Sequence, residues 1–249
     1  MNFSPNEVEI ARNATILRGL DDEAFKLVLN SANIKKLEDG AFYFHTEEPA
    51  THAYILLEGK VKLAQVTTDG RQVILGYLVP GRVFGIIAIL KKVTYPVSAQ
   101  AVGKCKALVW DHATLNHLME ASPRMALNSL RLMSGQIREF QNRVRDLSTK
   151  RVEQRIARAI LRLARQSGRK IEEGVLIDLP LSRQDLAEMS GTTLYTVSRV
   201  FTEWGKCGLT RSQRQNVVIT NPHGLVIIAE DLPENSPQHI SIADDLCDF

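Results

Sequence analysis

Residues 182–209 of this chain carry two short amphipathic helix patterns separated by a tight turn, Ser190-Gly191-Thr192. Ser182 is a suitable N-cap for the first helix, and Thr192 or Thr193 can cap the second. The apolar positions that recur at helical spacing are Leu186, Ala187 and Met189 in the first helix and Val197, Val200, Phe201 and Trp204 in the second. Two helices this short cannot bury their apolar faces against each other alone. The rest of the chain must therefore provide an apolar surface on which the pair packs.

The second helix of the pair has a polar face opposite its apolar stripe. That face carries Thr193, Tyr195, Thr196, Ser198, Arg199 and Thr202. Hydroxyl and guanidinium groups on an exposed helix can reach the phosphates and base edges of a DNA major groove. We therefore interpret this helix as a recognition helix, although the pattern alone is also compatible with a helical hairpin in a protein core.

Positive charge is concentrated in the part of the chain that holds this helix pair. Residues 121–230 contain eighteen Lys and Arg against ten Asp and Glu, a net charge of +8, whereas residues 1–120 are neutral and residues 231–249 carry −5. A basic region of this kind is typical of a nucleic-acid binder, although a solvated, Arg-rich helix face gives the same count.

The composition limits the class of protein. A length of 249 residues with 44% hydrophobic residues allows two domains with cores of their own. No apolar run approaches the roughly 18 residues of a membrane span, and the N-terminus carries charges where a signal peptide is apolar. Cys105, Cys207 and Cys247 are too widely spaced for a zinc knuckle or a disulfide framework. We therefore expect a cytoplasmic protein without a metal site. The sequence contains neither a Gly-rich phosphate loop nor an HExxH motif, so we do not expect an enzyme.

The chain between Asn33 and Trp110 shows short apolar or alternating runs, separated by turn signals at intervals of about 8–12 residues. The predicted strands are 41–44, 53–57, 61–66, 73–78, 83–90, 97–102 and 107–110. The turn signals are Asp39-Gly40, Glu58-Gly59, Asp69-Gly70, Pro80-Gly81 and Gly103. Glycine supplies the positive φ that such turns need, so the pattern predicts a small all-β domain behind a short helical pattern at 8–29.

Pro123 begins a long segment with helical spacing and no further proline. Its apolar residues form a heptad a/d series, Leu130, Met133, Ile137, Phe140, Val144 and Leu147. Such a narrow stripe suits the pairing of two identical helices, so we expect a homodimer. The stripe is too short for a free coiled coil, and we expect the β domain to add contacts. The alternative is a helix that packs only on its own chain.

A further helix is predicted at 152–166, with Gly168 as its C′ residue. Its predicted inward positions are Ile156, Ala159, Ile160 and Leu163, and its predicted outward positions are Arg155, Arg158, Arg162 and Arg165. Strands predicted at 175–179 and 217–220 flank the helix pair and complete a winged helix. Arg211 and Arg214, in the connecting hairpin, would then meet backbone phosphate or a narrow minor groove.

The chain also contains the segments AYILLEGKVKLAQVTTDGRQVILGYLVPGRVFG, RVEQRIARAILRLA and LPLSRQDLAEMSGTTLYTVSRVF. In this order they resemble the Crp/Fnr family of bacterial transcription regulators over about 16–228. The resemblance implies an α+β protein with an N-terminal antiparallel, jelly-roll-like β-roll sensor domain at 1–120. It further implies a dimerisation helix at 121–149 and a C-terminal winged helix-turn-helix domain at 150–230. The acidic remainder, 231–249, is expected to be a mobile tail.

This resemblance also implies a function, the regulation of transcription by a homodimer on a palindromic double-stranded DNA operator, with RNA polymerase as a further partner. Arg183 would contact phosphate, and Arg199 would read guanine O6 and N7. The rest of the groove face would be Thr192, Thr193, Tyr195, Thr196 and Ser198. The family commonly has glutamate at Tyr195, and its cyclic-AMP receptor branch has arginine at Leu194. We therefore expect a half-site that differs from TGTGA and TTGAT at the base which those residues read.

The candidate effector pocket departs further from the family. Cyclic-nucleotide binders of this fold place Gly-Glu against the ribose and Arg-Ser or Arg-Thr against the cyclic phosphate. The matching residues here are Gly85-Ile86 and Val97-Ser98. A buried phosphodiester would have no charge partner, so cyclic AMP is not the expected effector. An iron-sulfur cluster is not expected either, because that branch needs clustered N-terminal cysteines and the first cysteine here is Cys105.

Heme, an unidentified small molecule and the absence of any dissociable effector stay open as alternatives. The potential heme ligands are His45, His52, His112 and His117, although a lone histidine is more often hydrogen-bonded or solvated. Cys105 lies in or beside a predicted strand, where a structural role is the default. The alternative function from another class is a cyclic-nucleotide-binding-like regulatory subunit that controls a protein partner. The changed pocket residues and the winged helix both argue against it.

Overall fold

The computed structural model describes residues 3–67, 70–213 and 216–232, which form two compact units with their boundary between Gln141 and Asn142. The first unit contains, in chain order, α1 (Pro5–Asn13), α2 (Asp22–Asn30), β1 (Asn33–Leu37), β2 (Phe42–Phe44), β3 (His52–Val66), β4 (Gln72–Leu78), β5 (Val83–Phe84), a 3-10 turn (Ile86–Ile89), β6 (Ser98–Asp111), α3 (His112–Ala121) and α4 (Pro123–Thr149), whose last residues belong to the second unit.

Two long antiparallel strands form the centre of the sheet in the first unit. β3 and β6 pair from His52 opposite Asp111 to Ala64 opposite Ser98, and the path of the sheet is β1-β6-β3-β4. β2 adds to β6, and β5 adds to β3. Register shifts within β3 and β6 mark bulges, which bend strands and increase their twist. The antiparallel β-roll and the α+β class that the sequence predicts are therefore confirmed.

The predicted strand breaks at Gly59 and Gly103 are wrong, because both glycines lie inside continuous strands. The pairing of β3 with β6 shifts register between Glu58 and Lys60, and Gly59 there has a φ of 82°. A Cβ at Gly59 would collide with the carbonyl oxygen of Lys104. Glycine at this position therefore permits a bulge and a close backbone approach instead of a turn.

The predicted strand at 83–90 is also wrong beyond Phe84. Gly85 has a left-handed conformation with a φ of 67°, and it begins the 3-10 turn. β1 and α3 were not anticipated by the sequence patterns. Helix α3 begins with an Asp111 side chain that accepts a hydrogen bond from the Thr114 amide, a signal that lies at the end of a strand pattern.

The main core of the first unit is formed by helical and strand residues around Trp110. The Trp110 side chain is fully buried, and its Nε1 donates a hydrogen bond to the carbonyl of Val28 at 3.0 Å. Other buried members of this cluster are Ile16, Leu17, Phe25, Ile55, Leu108, Leu115, Leu118 and Met125. Burial of about 1.5–3 kcal/mol per large apolar side chain holds the helices against the sheet.

The second unit contains α5 (Val152–Ser167), β7 (Gly168–Ile171), β8 (Gly174–Ile177), α6 (Arg183–Ser190), α7 (Leu194–Lys206), β9 (Thr210–Gln213), β10 (Asn216–Ile219) and α8 (Pro222–Glu230). Its antiparallel sheet has the order β7-β8-β10-β9. The sequence predicts α5, α6, α7 and the two inner strands. The edge strands β7 and β9 and the helix α8 were missed. The two strands, GRKI and TRSQ, are mostly polar, and the short helix is mostly apolar, so none of the three shows a clear periodicity.

Helix α5 is the centre of the second unit. Its predicted inward residues are all fully buried. The prediction that Arg155, Arg158 and Arg162 face outward is wrong, because these side chains are only partly exposed. Arg158 bonds Asp146 at 3.0 Å and Glu230 at 2.7 Å, which joins the end of α4 and the end of α8 to α5.

Gly168 was predicted as the C′ residue of α5, a position that is typically left-handed, and this reason for the glycine is wrong. Gly168 follows α5 as expected, but its φ of −68° is not left-handed. A Cβ at Gly168 would collide with the carbonyl oxygen of Ala164 and would lie 3.0 Å from Cγ1 of Val175. The glycine therefore serves close packing of β7 against the helix end and β8. Among the described helices, none has the length and apolar character to cross a membrane.

Candidate nucleic-acid interface

The helix pair formed by α6 and α7 begins with a capping box. The Ser182 hydroxyl accepts a hydrogen bond from the Asp185 amide at 3.0 Å, and the Asp185 carboxylate accepts one from the Ser182 amide at 2.8 Å. Helix α6 ends at Ser190 and is capped by Gly191, whose φ is 61°, and the Thr192 amide donates to the Ala187 carbonyl. The turn between the helices is thus fixed by backbone geometry that favours glycine.

Arg155 of α5 supports this turn from the other side. Its Nε donates to the carbonyl of Ser190 at 2.9 Å, and its Nη2 donates to the carbonyl of Gly191 at 3.1 Å. Carbonyl groups at the end of a helix lack partners inside the helix, and a cationic donor satisfies them well. Sequence patterns missed this role because a long side chain on an apparently outward position can still reach across to a neighbouring helix.

Helix α7 is held in the unit by its apolar stripe. Val197, Val200, Phe201 and Trp204 are buried, as predicted. Trp204 also donates its indole N–H to the Glu153 carboxylate of α5 at 2.9 Å. A helix fixed in this way presents its opposite face to solvent with little freedom to rotate.

The exposed face of α7 contains Tyr195, Ser198, Arg199 and Thr202, and Tyr195 is 79% exposed. Within the described part of the chain, no hydrogen bond or ion pair holds the side chains of Tyr195, Ser198 and Arg199. The Thr202 hydroxyl donates to the Ser198 carbonyl at 2.9 Å. A planar donor fork, a phenol and a small hydroxyl are therefore presented together, which is a set that can bind base edges and phosphates.

The predicted threonines at the start of α7 also have a local structural role. The Thr193 hydroxyl accepts from the Thr196 amide at 3.2 Å and lies 2.9 Å from the Thr196 hydroxyl. This is an N-cap, so these two hydroxyls stabilise the first turn of the helix. Thr192 is half-buried in the preceding turn. Exposed helix N-termini can also present backbone amides to an anion.

Arg183, at the start of α6, lies against α7. Its guanidinium carbon is 3.4 Å from the centre of the Phe201 ring, a cation–π stack that couples the two helices. Burial lowers the pKa of Arg183 to about 10, so the side chain stays charged at neutral pH. Stacking fixes the plane of the guanidinium, and the donor groups of a guanidinium lie at the edge of that plane.

The wing is the antiparallel sheet of the second unit, in which β9 pairs with β10. Arg211 lies on β9, and its Nη1 donates to the Glu173 carboxylate at 2.8 Å. Both side chains are about half exposed, so this ion pair is weak and can exchange for a phosphate contact. Arg214, the other predicted wing residue, lies outside the described residues.

The predicted stripe on α4 is exposed. Leu130, Ile137, Phe140, Val144 and Leu147 each expose between 56% and 63% of their surface. Met133 is the exception, since it is partly buried against the core of the first unit. Leu127, which the heptad pattern did not include, is 53% exposed. Large exposed apolar patches of this kind are typical of surfaces that contact another molecule.

The candidate effector residues occupy different settings in the roll. Ile86 is 4% exposed within the main core of the first unit. A Cβ at Gly85 would lie 3.3 Å from ring atoms of Phe44 and Tyr54. The Ser98 hydroxyl accepts from the Thr46 amide at 2.9 Å. Val97 is half-buried. Because the two positions that would pair with a nucleotide hold Ile86 and Val97, neither carries a charged side chain.

An aromatic cluster fills part of the roll beside these residues. Phe44 stacks on Tyr95 with ring centroids 3.7 Å apart, and Tyr54 stacks on Phe84 at 4.9 Å. Tyr43 meets the edges of Tyr54 and Phe84. Burial raises the pKa values of Tyr43 and Tyr54, which keeps their phenols neutral. The interior is lined mainly by rings, the ammonium of Lys35 lies 5.7 Å from the centroids of the Tyr43 and Tyr54 rings, and positions 86 and 97 add no charge for an anion.

The predicted heme histidines are spread over several environments. His45 stacks on Phe42, and the Nδ1 of His52 lies 2.8 Å from the Thr51 hydroxyl. Nδ1 of His112 donates to the Ala88 carbonyl at 2.6 Å, and His117 is exposed. No group of three or more His, Cys, Asp or Glu side chains suited to a metal ion occurs in the described ranges. These positions add no support to heme.

Cys105 is buried, and its thiol donates to the Lys60 carbonyl with Sγ 3.0 Å from the oxygen. Burial raises the pKa of the Cys105 thiol, which disfavours the reactive thiolate. These contacts are those of a packed structural residue.

Each of the two units matches a known protein family. Residues 34–122 match the cyclic nucleotide-binding domain, and residues 154–227 match the Crp-like helix-turn-helix domain. The two matches fall on the β-roll with α3 and on the unit that holds α6 and α7.

Individual proteins agree with these matches. The nitrogen fixation regulation protein FixK of Azorhizobium caulinodans is 30% identical over 175 residues, which are 69% of each chain. The CRP-like cAMP-activated global transcriptional regulator of Mycobacterium tuberculosis is 24% identical over 87% of this chain and 97% of its own. The structure of FixK2 from Bradyrhizobium japonicum has a TM-score of 0.70 at 23% identity, covering 79% of this chain and 96% of that one, which supports the fold. The chain therefore belongs to the Crp/Fnr family of transcription regulators, which are not enzymes, bind DNA through a helix-turn-helix and act as dimers.

Proposed function

We propose that this protein is a sequence-specific regulator that binds a palindromic operator as a homodimer and inserts α7 into the major groove. The observation that carries the proposal is the exposed face of α7, where Tyr195, Ser198 and Arg199 have no partner among the described residues while the opposite face is buried. Arg199 is the base-reading residue, since its fork matches O6 and N7 of guanine. Thr192, Thr193 and Thr196 approach the backbone around it.

Phosphate contacts position the helix in this proposal. Arg183 is held on Phe201 at the start of α6, and Arg211 lies on the wing. Arg214, three residues further along the sequence, is proposed to make the same kind of contact. Such contacts set the register of a protein on DNA without reading sequence, and they make the affinity dependent on salt.

Dimerisation through α4 supplies the second half-site. The exposed stripe at Leu130, Ile137, Phe140, Val144 and Leu147 is the surface that a second copy covers, with Met133 packed beside it. Two identical chains related by a two-fold axis present two copies of α7, so the operator is a palindrome with half-site centres about one helical turn apart. We place the dimerisation helix at 121–149, between a sensor domain at 1–120 and a DNA-binding domain at 150–230.

The signal that controls the regulator is not cyclic AMP. Ile86 lies in an apolar core and Val97 carries no charge, so the roll offers neither a carboxylate for the ribose nor a guanidinium for the phosphate at these positions. An iron-sulfur cluster is also not proposed, because the cysteines are not grouped. An unidentified small molecule, heme and the absence of an effector are the alternatives left, and RNA polymerase is the proposed protein partner.

A binding experiment with the full chain tests the proposal. Operator duplexes are selected from a random library, and the mass of the complex is measured beside the mass of the free protein. The proposal requires a free dimer, a complex of two chains per duplex and a selected sequence with two-fold symmetry. A monomer bound to a single asymmetric site would contradict it.

A further inference from the structure

Arg211 and Glu173 form an ion pair between two different parts of the wing sheet. Nη1 of Arg211, on β9, donates to Oε2 of Glu173 at 2.8 Å. Glu173 lies in the turn between β7 and β8, where Ile171 pairs with Gly174. The sheet order β7-β8-β10-β9 places β10 between this turn and β9. The ion pair therefore links an edge strand of the sheet to a turn on the far side of the neighbouring strand.

The spacing of the strands determines the direction of the Arg211 side chain. Neighbouring strands lie about 5 Å apart, so β8 and β9 are separated by about 10 Å. Arg211 extends across this gap to reach Glu173, and its guanidinium is therefore directed towards the β8 side of the sheet. Part of its donor fork is already bonded to a carboxylate when no DNA is bound.

The glycine that follows Glu173 holds the turn close to β10. Gly174 has a φ of 136°, a conformation that residues with a side chain rarely adopt. A Cβ at this position would collide with the carbonyl oxygen of Ile219 on β10. The backbone of the turn thus packs directly against β10, which keeps the Glu173 carboxylate within reach of Arg211.

The other residue of this turn, Glu172, carries the same charge without the same contact. Glu172 and Glu173 are both exposed, and no ion pair of Glu172 occurs among the described residues. Two carboxylates one residue apart have nearly the same long-range effect on DNA, since this distance is well below the screening length of about 10 Å at 0.1 M salt. A comparison of the two residues therefore separates a direct contact from general repulsion.

We propose that Glu173 is a positioning residue of the wing, which competes with DNA phosphate for the guanidinium of Arg211. DNA binding then exchanges the ion pair of Arg211 with Glu173 for an ion pair of Arg211 with a phosphate. A phosphate contact that must first break an internal pair adds less to the affinity than the contact of a free arginine does. This inference rests on the proposed contact of Arg211 with the DNA backbone, and it goes further by assigning a carboxylate that weakens this contact.

Binding titrations of the full chain on a selected operator and on random duplex, at low salt, test the exchange. Glu173→Gln should bind both duplexes about two- to fivefold more tightly than Glu172→Gln, the range that corresponds to an exposed ion pair. Glu172→Gln is the matched control, because it removes the same charge from the same turn. The difference between the two variants should shrink as the salt concentration rises, because salt screens exposed ion pairs.

A double-mutant cycle identifies Arg211 as the group through which Glu173 acts. In chains that also carry Arg211→Gln, the changes Glu173→Gln and Glu172→Gln should have equal effects on DNA affinity. A purely structural role of Glu173 in the turn would give the same difference with and without Arg211. Circular dichroism of all variants checks that the fold is unchanged.

Two outcomes would overturn the inference while leaving the proposed function intact. Glu173→Gln could bind both duplexes no more tightly than Glu172→Gln, or its tighter binding could persist in the chain with Arg211→Gln. Arg211→Gln alone tests the underlying contact, since it should lower the slope of log K against log salt by about one. With an unchanged slope, the proposed phosphate contact of the wing would fail, and the role of Glu173 would fail with it.

Discussion

Arg183 and Arg199 belong to the same helix pair but have different surroundings. The guanidinium of Arg183 lies 3.4 Å from the centre of the Phe201 ring, whereas Arg199 is exposed on the opposite side of α7. A stacked guanidinium loses little freedom when it binds, which suits a fixed phosphate contact. An exposed and unpaired one can align its fork with a base, which suits direct readout.

Within the helix pair, Gly191 is the position at which we expect a substitution to lower the stability most. Replacing it with alanine should lower the free energy of unfolding by about 1–2 kcal/mol, because its φ of 61° is left-handed. The new Cβ would also lie 3.0 Å from Cδ2 of Leu147. Gly205→Ala is the control, since this helical glycine has no atom closer than 3.8 Å and alanine favours the helix. Urea unfolding should show a lower stability for Gly191→Ala and no decrease for Gly205→Ala; equal stabilities would refute the assignment.

Ile86 and Val97 lead to a prediction about nucleotides. We expect cyclic AMP and cyclic GMP to bind in about the millimolar range or more weakly, because desolvating the phosphate is not offset by a charge partner. Isothermal titration calorimetry with the full chain measures this directly. A micromolar constant for either nucleotide would show that other residues replace the absent pair.

At the scale of elements, helix α4 has two kinds of apolar residues. Met125 is fully buried in the first unit, while Ile137 and Phe140 are about 60% exposed. The heptad spacing predicted the exposed stripe but could not separate Met133, which packs partly on its own unit, from the rest. Periodicity gives the direction of a side chain along a helix, not which neighbour fills the space beside it.

Ile137→Asp should convert the dimer to a monomer. The change places a carboxylate at the centre of an interface that would otherwise exclude water, and an unpaired buried charge costs several kcal/mol. Asn142→Asp is the control, because it introduces the same residue on the opposite side of the heptad pattern. Sedimentation equilibrium at micromolar concentration should show a monomer for the first variant and a dimer for the second. A dimer for both would remove the stripe from the interface.

Helix α1 is attached to the roll by an ion pair between Glu7 and Lys106, and the Ser4 amide also donates to the Glu7 carboxylate. These contacts lower the pKa of Glu7 from its ordinary value of 4.5. A lowered pKa means that the stabilisation is complete above the ordinary value and disappears as the pH falls below it.

We therefore expect the unfolding free energy of the wild type to fall more steeply than that of Glu7→Gln as the pH is lowered from neutral to about 3. Glu9→Gln, at an exposed position of the same helix, should behave like the wild type. Unfolding curves at several pH values check this. Parallel curves for wild type and Glu7→Gln would mean that the ion pair does not stabilise the fold.

The sequence predicted these elements to different extents for physical reasons. Helices α5 and α7 were predictable because their apolar residues recur over several turns between clear caps. The continuity of β3 through Gly59 was not, since a bulge glycine and a turn glycine look alike without the pairing strand. The support that Arg155 gives to the α6 turn was also out of reach, because it depends on how two helices pack.

At the scale of the whole molecule, the basic residues fall into two groups, those expected to contact DNA and those bonded inside the second unit. The net charge of +8 in residues 121–230 suggested a DNA-binding surface, but Arg155 and Arg158 are bonded within the second unit. Arg158 joins Asp146 of α4 to Glu230 of α8, so the end of α4 is fixed to the same unit as the helix pair. Pairing of α4 with a second copy would thereby define where two copies of α7 meet the DNA. The acidic tail beyond residue 232 lies outside the described residues.

Titration of wild type, Arg199→Ala and Arg183→Ala on a selected operator and on random duplex, at several salt concentrations, tests the central claim most directly. Arg199→Ala should weaken binding by about 1–3 kcal/mol on the operator alone and flatten discrimination at one base pair per half-site. Arg183→Ala should weaken both duplexes alike and lower the slope of log K against log salt by about one for each phosphate that the variant no longer neutralises. If Arg199→Ala weakened operator and random DNA equally, Arg199 would be a backbone contact, and the insertion of α7 into the major groove would be contradicted.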